Sequence, residues 1–204
     1  MSGRGNAAGS DRVLAASAHR VAAWELSADS PWAGAGVVPI CTPVLHGPCA
    51  PVGDAWASMA DLAEHMIAVM KARNGIGLAA NQVGVSVRVF VHALSNAAPE
   101  VLIDPVVLHS DGTWAYSEGC LSVQIPGSRS PLVRPKVVRV RATVLDGSVV
   151  EIEADELLSR VFQHEIDHLD GIEYVQRLTG CERDRVYKVM RDAGVDVRYI
   201  PTVA

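Results

Sequence analysis

The chain has 204 residues, a formal net charge of −5, and 49% apolar against 20% charged residues. That is enough apolar sequence for a core and enough length for one domain with an appended segment. The acidic balance argues against a general nucleic-acid binder, so no specific DNA partner is expected. No apolar run reaches the roughly 20 residues of a spanning helix, so no membrane partner is expected either.

Residues 1–36 read as an N-terminal extension rich in small residues, flexible or partly helical, with an Ala-rich helix over Val13 to Leu26 as its candidate element. It opens MSGRGNAAGSDR, without the apolar run of a secretory signal, and Asp11 and Glu25 make a cleaved transit sequence the weaker reading. A single domain is expected over residues 37–204. Four prolines (Pro39, Pro43, Pro48 and Pro51) make 38–53 irregular. From Asp54 to Arg73, Trp56, Met59, Leu62, Ala63, Met66, Ile67 and Met70 recur on one side of a helix. Asp54 is the expected cap, Asn74-Gly75 the stop, and the methionines read as core filler.

Strands follow. Val85, Val87, Val89 and Val91 alternate with polar and aromatic neighbours, a second run spans about 100–108, and a third covers Val137 to Leu145. Asp146-Gly147 then turns the chain into Ser148 to Glu153, a hairpin signal. A helix is expected from about Ala154 to Leu169, stopped by Asp170-Gly171, and a last one near Glu182 to Asp192. Helix, strands, helix predicts an α+β fold with mostly antiparallel sheets. The last helix carries Arg183, Arg185, Lys188 and Arg191, a face that touches ribosomal RNA or, as such faces more often are, is merely solvated. Two Phe, four Tyr and four Trp leave the core largely aliphatic. Cys41, Cys49, Cys120 and Cys181 form no CxxC pair, which points to reduced thiols and a cytoplasmic location.

The strongest chemical signal is His164-Glu165-Ile166-Asp167-His168. Two histidines four apart share one helix face and can reach one metal ion. Leu157 and Val161 precede them on the same stripe, so the imidazoles are expected to point into a dry pocket. Glu165 stands where zinc peptidases with this pentapeptide carry the general base. HExxH also arises by chance on amphipathic helices, and Asp167 and Asp170 are more often solvated or supporting carboxylates than ligands. A catalytic site needs a third protein ligand and an open position. Downstream the candidates are Glu173 and Glu182. Upstream, Cys120 follows a strand-like Trp-Ala-Tyr stretch, a position from which a strand end would face the helix.

Three segments together resemble the three motifs of the peptide deformylase family: Gly75-Ile76-Gly77-Leu78-Ala79-Ala80-Asn81-Gln82, the run Glu118-Gly119-Cys120-Leu121-Ser122, and Gln163-His164-Glu165-Ile166-Asp167-His168-Leu169. Each is complete and in the family's order, and looser similarity runs from about Val38 to Met190. The resemblance implies a metal-dependent hydrolase that removes the N-formyl group of formyl-methionyl nascent chains, releasing formate. Residues 37–204 would then be the catalytic domain, its sheets packed around a central HExxH helix. The implied ligands are Cys120, His164 and His168 around one divalent ion, Fe2+ in the cell, with Zn2+, Ni2+ or Co2+ able to occupy the site. Glu165 would be the base, and Gln82 with the Leu121 N–H would face the developing oxyanion. The backbone of Ile76, Gly77 and Gly119 would pair with the peptide, and Ile76, Leu157 and Val161 would line a methionine pocket. A transient ribosome contact is implied as well.

The sequence departs from the family pattern in two places. Val123-Gln124-Ile125-Pro126-Gly127-Ser128-Arg129 holds about two extra residues beside the site, and Cys41-Thr42-Pro43 stands where many relatives have Gly-Asp-Pro. A zinc peptidase would leave the EGCLS and Gln82 motifs unexplained. A non-catalytic binding module would not keep Glu165, Gln82 and all three ligands. A structural metal site would close with four protein ligands.

Overall fold

The computed structural model describes residues 36–94 and 97–201. The expected Val13–Leu26 helix lies outside them. Three helices, α1 (Ala60–Ala72), α2 (Glu156–Leu169) and α3 (Gly180–Asp192), accompany seven strands. β1 (Gly77–Ala79), β2 (Val89–His92), β3 (Glu100–Asp111), β6 (Val137–Thr143) and β7 (Val149–Asp155) form a sheet in the order β1-β2-β3-β6-β7; β4 (Trp114–Glu118) and β5 (Ser130–Arg134) form a second, two-stranded one. Every pairing between these strands is antiparallel, so the α+β expectation holds.

The five-stranded sheet is covered on both faces, and period-two alternation divides its side chains. Leu78, Val89, Val91, Val101 and Ile103 pack with Leu62, Met66, Ile67 and Met70 of α1. Ala79, Phe90, Leu102, Val138 and Val140 pack with Phe162, Ile166 and Leu169 of α2. Successive strand residues point to opposite faces, so each strand serves both layers. A third cluster gathers Val186 and Met190 of α3 with Leu132 of β5 and Tyr174. The methionines of α1 are core, as expected.

Several local expectations shift. The helix predicted from Asp54 begins as a 3-10 turn over Gly53–Met59 and becomes α-helical only at Ala60. Asp54 is not its cap. The amides of Val52 and Gly53 donate instead to the two carboxylate oxygens of Asp104, each at 2.8 Å. Asp104 sits at φ 50° beside the irregularity in β3 between Ile103 and Val106, and sequence spacing carries no trace of that contact. The strand expected over 85–91 begins at Val89. Gly84, at φ 87°, closes a 3-10 turn over Ala80–Val83. The next residues bond piecemeal, Val85 to Ala80 and Arg88 to Ala50, rather than in a ladder. β1 and β5 were not expected at all. On α3, Arg185 is tied to Glu182 and to the carbonyls of Gly127 and Arg129, while Lys188 pairs with Asp192.

After α2 the chain reverses at Gly171, φ +78°, where a Cβ would stand 2.8 Å from the backbone of Gly47. The reversal is fixed by Gly171 N–H to His168 carbonyl and Cys49 N–H to Leu169 carbonyl bonds. Gly171→Ala is expected to destabilise the protein by about 2 kcal/mol or more, from left-handed strain plus backbone overlap. A Tm lower by about 4–8 °C would follow; an unchanged melting curve would show that this turn tolerates a side chain.

Candidate metal centre

α2 is amphipathic in two directions. Phe162, Ile166 and Leu169 face the sheet, while Leu157, Val161, Glu165 and His164 face a cleft of about 560 Å³. The cleft lies between β1 and the end of β4, and Ile76, Gly77, Gly119 and Leu121 also border it. His168, fully buried, is the same stripe continued one turn deeper. The expected stripe is therefore present, with its two imidazoles stacked edge to face, ring centroids 4.9 Å apart.

Cys120 lies two residues beyond the end of β4 and meets the helix there. Its Sγ stands 3.2 Å from Nε2 of His168, and one donor atom from each of Cys120, His164 and His168 lies within 4.8 Å of the others. Tetrahedral ligands at about 2.0–2.3 Å from a cation stand roughly 3.5 Å apart, so the donor set fits one metal ion. Burial, then the Glu173 charge, pushes the Cys120 thiol up to about 11. A thiolate at such a position needs a cation beside it, and a metal supplies one.

The side chains around the donors fix their orientation. Glu118, at the end of β4, receives His164 Nδ1 at 3.1 Å, which turns Nε2 of that ring toward the cleft. The same carboxylate accepts Arg134 Nε at 2.6 Å and Nη2 at 3.0 Å, and Arg160 Nη1 at 2.6 Å. Burial alone would raise Glu118, but the bonds from His164 and Arg134 outweigh it and hold it far below the usual carboxylate range. Arg134 reaches on to Asp167, which also binds Arg177. Arg160 further bonds the Trp114 carbonyl and lies over the Trp114 ring.

Glu165 points into the cleft with Oε2 unpartnered, and burial pushes its carboxyl up to about 7. A Cβ at Gly77 would overlap this carboxylate and come within 2.9 Å of Val161, which is why β1 carries glycine there. Gln82 is held by Ala79 N–H to its Oε1 at 2.9 Å. Its Nε2 thereby faces the Cys120 sulfur and Ser122 Oγ, both at 3.3 Å. The Ile76 carbonyl already accepts Ala93 N–H, while its side chain stays partly exposed in the cleft.

The ligands, base, oxyanion donors and substrate contacts implied by the resemblance thus gather at one place. Asp170 does not: it pairs with Arg88 at 2.6 Å. Glu182, one open candidate for third ligand, is engaged by Ser130 and Arg185 at the start of α3. Sequence reasoning missed Arg134, Arg160 and the part played by Glu118. Glu118 sat inside a quoted motif, but the two arginines carried no local signal.

The family model for polypeptide deformylases matches residues 35–184. A peptide deformylase of Acidobacterium capsulatum is 43% identical over 153 residues, covering 73% of this chain and 89% of that one. The crystal structure of a Synechococcus elongatus peptide deformylase in complex with actinonin superposes with a TM-score of 0.77 at 30% identity, covering 89% of this chain and 96% of that one. A class I type b peptide deformylase from Acinetobacter baumannii, with Met-Ala-Ser bound, gives 0.66 at 34% identity, covering 70% and 97%. With the three motifs converging on one donor set, these matches make the chain a member of the polypeptide deformylase family, the metal-dependent hydrolases that remove the N-formyl group from nascent polypeptides.

Proposed function

We propose that Cys120, His164 and His168 hold the single divalent ion of this deformylase, that Glu165 is its general base, and that Gln82 and Leu121 stabilise the oxyanion. One observation carries the reading: a thiol from a strand end and two imidazoles from one helix turn their donor atoms within 4.8 Å of one another at the floor of an open cleft. In the cell the ion is Fe2+, with Zn2+, Ni2+ or Co2+ able to replace it, as the family resemblance implies. When bound, it supplies Lewis acidity that makes water a competent nucleophile near neutral pH.

The side chains do the rest. Glu165 takes the proton of the attacking water and hands it to the departing amine, one carboxylate serving both steps. Its buried setting and raised pKa suit a group that must both accept and release a proton near neutrality. The Gln82 amide, with its orientation fixed by Ala79, donates to the oxyanion together with the Leu121 N–H. Among the described residues β1 has a strand partner on one side only, so its other edge is available to an extended peptide. Gly77 and Gly119 let that backbone approach closely, and Ile76 joins them through its N–H. The methionine side chain lies against Ile76, Leu157 and Val161. Met-Ala-Ser, bound by the Acinetobacter relative, has the length and chemistry expected of the product here.

The catalytic domain spans residues 37–204, with 1–36 an appendage to it. The enzyme works in the cytoplasm on nascent formyl-methionyl chains, in transient contact with the ribosome. Arg183 and Arg191 are the candidate contacts, since Arg185 and Lys188 have carboxylate partners within α3.

Three variants test the assignments. Glu165→Ala should retain one metal per chain yet leave formyl-Met-Ala-Ser almost unprocessed; turnover near the parent rate removes Glu165 as base. Gln82→Leu should also keep its metal and lose on the order of 100- to 1,000-fold in kcat, and a loss under tenfold would discard the oxyanion role. Cys120→Ser should hold markedly less metal by elemental analysis, whereas full occupancy with full activity would strike Cys120 from the ligand set.

A further inference from the structure

The two histidines are unequally supported. His164 has the Glu118 carboxylate on its Nδ1, but two guanidiniums share that carboxylate's charge. Behind His168 stands a different carboxylate, Glu173, from the turn that follows α2. Glu173 is fully buried, with Oε1 3.6 Å from Nδ1 of His168. Neither of its carboxyl oxygens has a hydrogen-bond partner, and neither does His168 Nδ1. The Gln176 backbone N–H donates to the Glu173 carbonyl rather than to the carboxylate. Among the described residues, no Lys or Arg pairs with Glu173; its one ion-pair contact is His168.

A buried carboxylate without a cation or a donor is costly, and the site itself contains what would offset it. His168 turns Nε2 toward the Cys120 sulfur. If that nitrogen ligates a metal, the neutral ring must carry its proton on Nδ1, and that N–H needs an acceptor. Glu173 Oε1 stands 3.6 Å away, just outside hydrogen-bond reach. A divalent ion with one thiolate and two neutral imidazoles also retains a net positive charge, which a buried anion one imidazole away balances.

We propose that Glu173 is a positioning residue for the metal centre: it accepts the Nδ1 proton of His168, fixes the tautomer that ligates through Nε2, and supplies the counter-charge that strengthens metal retention. The site thereby carries two carboxylate–histidine pairs, Glu118 with His164 and Glu173 with His168. The inference rests on the ligand set proposed above.

The test compares Co2+-loaded parent, Glu173→Gln and Glu173→Leu. Co2+ affinity is measured by competition with a chromophoric chelator, and the visible d–d and thiolate-to-cobalt bands are recorded. Glu173→Leu should bind Co2+ about 10- to 100-fold more weakly with shifted bands. Glu173→Gln, which can accept the proton but carries no charge, should fall between. If both variants bind within twofold of the parent and their spectra superimpose, the proposal is overturned. Should Glu173→Leu not fold, an unchanged affinity and spectrum in Glu173→Gln overturns it alone. Loss of an oxygen scatterer from the cobalt shell in Glu173→Gln would mark Glu173 as a direct ligand and overturn the indirect role. A thiolate-to-cobalt band that survives Cys120→Ser in the otherwise parental chain would instead refute the ligand set, whatever Glu173 does.

Discussion

The site requires a helix and a strand from different sheets to meet at one point, and the junction that holds them is the Glu118 carboxylate. It ends β4, one residue from the Cys120 thiol's Gly119 neighbour, and binds His164 on α2 directly. Arg134 from the paired strand β5 and Arg160 from α2 close on the same two oxygens. Arg134 continues to Asp167, back on α2. Four buried charged groups thus cross-link the β4–β5 hairpin to the helix that carries both histidines. Removing one member of such a set leaves the others buried and unpaired, typically a loss of about 3–5 kcal/mol. The arrangement is therefore held less by the strength of any single pair than by the cost of breaking one. Its geometry also decides which nitrogen of His164 is left to face the cleft.

α2 resolves two demands on one helix. One stripe, Phe162, Ile166 and Leu169, is core against Phe90 and Leu102 of the sheet. The adjacent stripe bears Val161, His164, Glu165 and His168. A polar group this deep is tolerated only where partners meet it, and here they do so unevenly. Asp167 and Glu118 are saturated with guanidinium donors, whereas Glu165 and Glu173 keep unpartnered oxygens. The saturated groups build the scaffold. The unsatisfied ones lie beside the candidate donor set, Glu165 next in sequence to His164 and Glu173 behind His168.

The cleft runs along the edge of β1 that has no strand neighbour among the described residues. Gly77 on that edge has no room for a side chain beneath the Glu165 carboxylate, and Gly119 faces the Arg129 guanidinium at 2.9 Å from a would-be Cβ. Backbone from two elements therefore forms the walls, with apolar side chains of α2 between them. A peptide amide can be gripped by main chain and its first side chain by a pocket, which is what a deformylase must recognise.

Much of this was legible in the residues. The 3.6-residue stripe 157, 161, 164, 168 announced a helix with two imidazoles on its inner face, and Asp146-Gly147 announced the β6–β7 hairpin, because both signals are local. The pairing of His164 with His168 needs only one helical turn. The third donor was not decidable from spacing: Cys120, Glu173 and Glu182 all stood open until the resemblance singled out the thiol, because a contact across 48 residues leaves no periodicity. The same holds for Asp104 capping the 3-10 turn at Val52, which displaced the Asp54 expectation. It holds also for Arg134 and Arg160, which no local pattern ties to Glu118. Sequence by itself determined the three helices, the β6–β7 hairpin and the chemistry that α2 carries, since propensity and side-chain identity act over a few residues. Tertiary structure alone decided that Glu118 meets His164 and Cys120 meets His168, because both contacts depend on how distant segments pack.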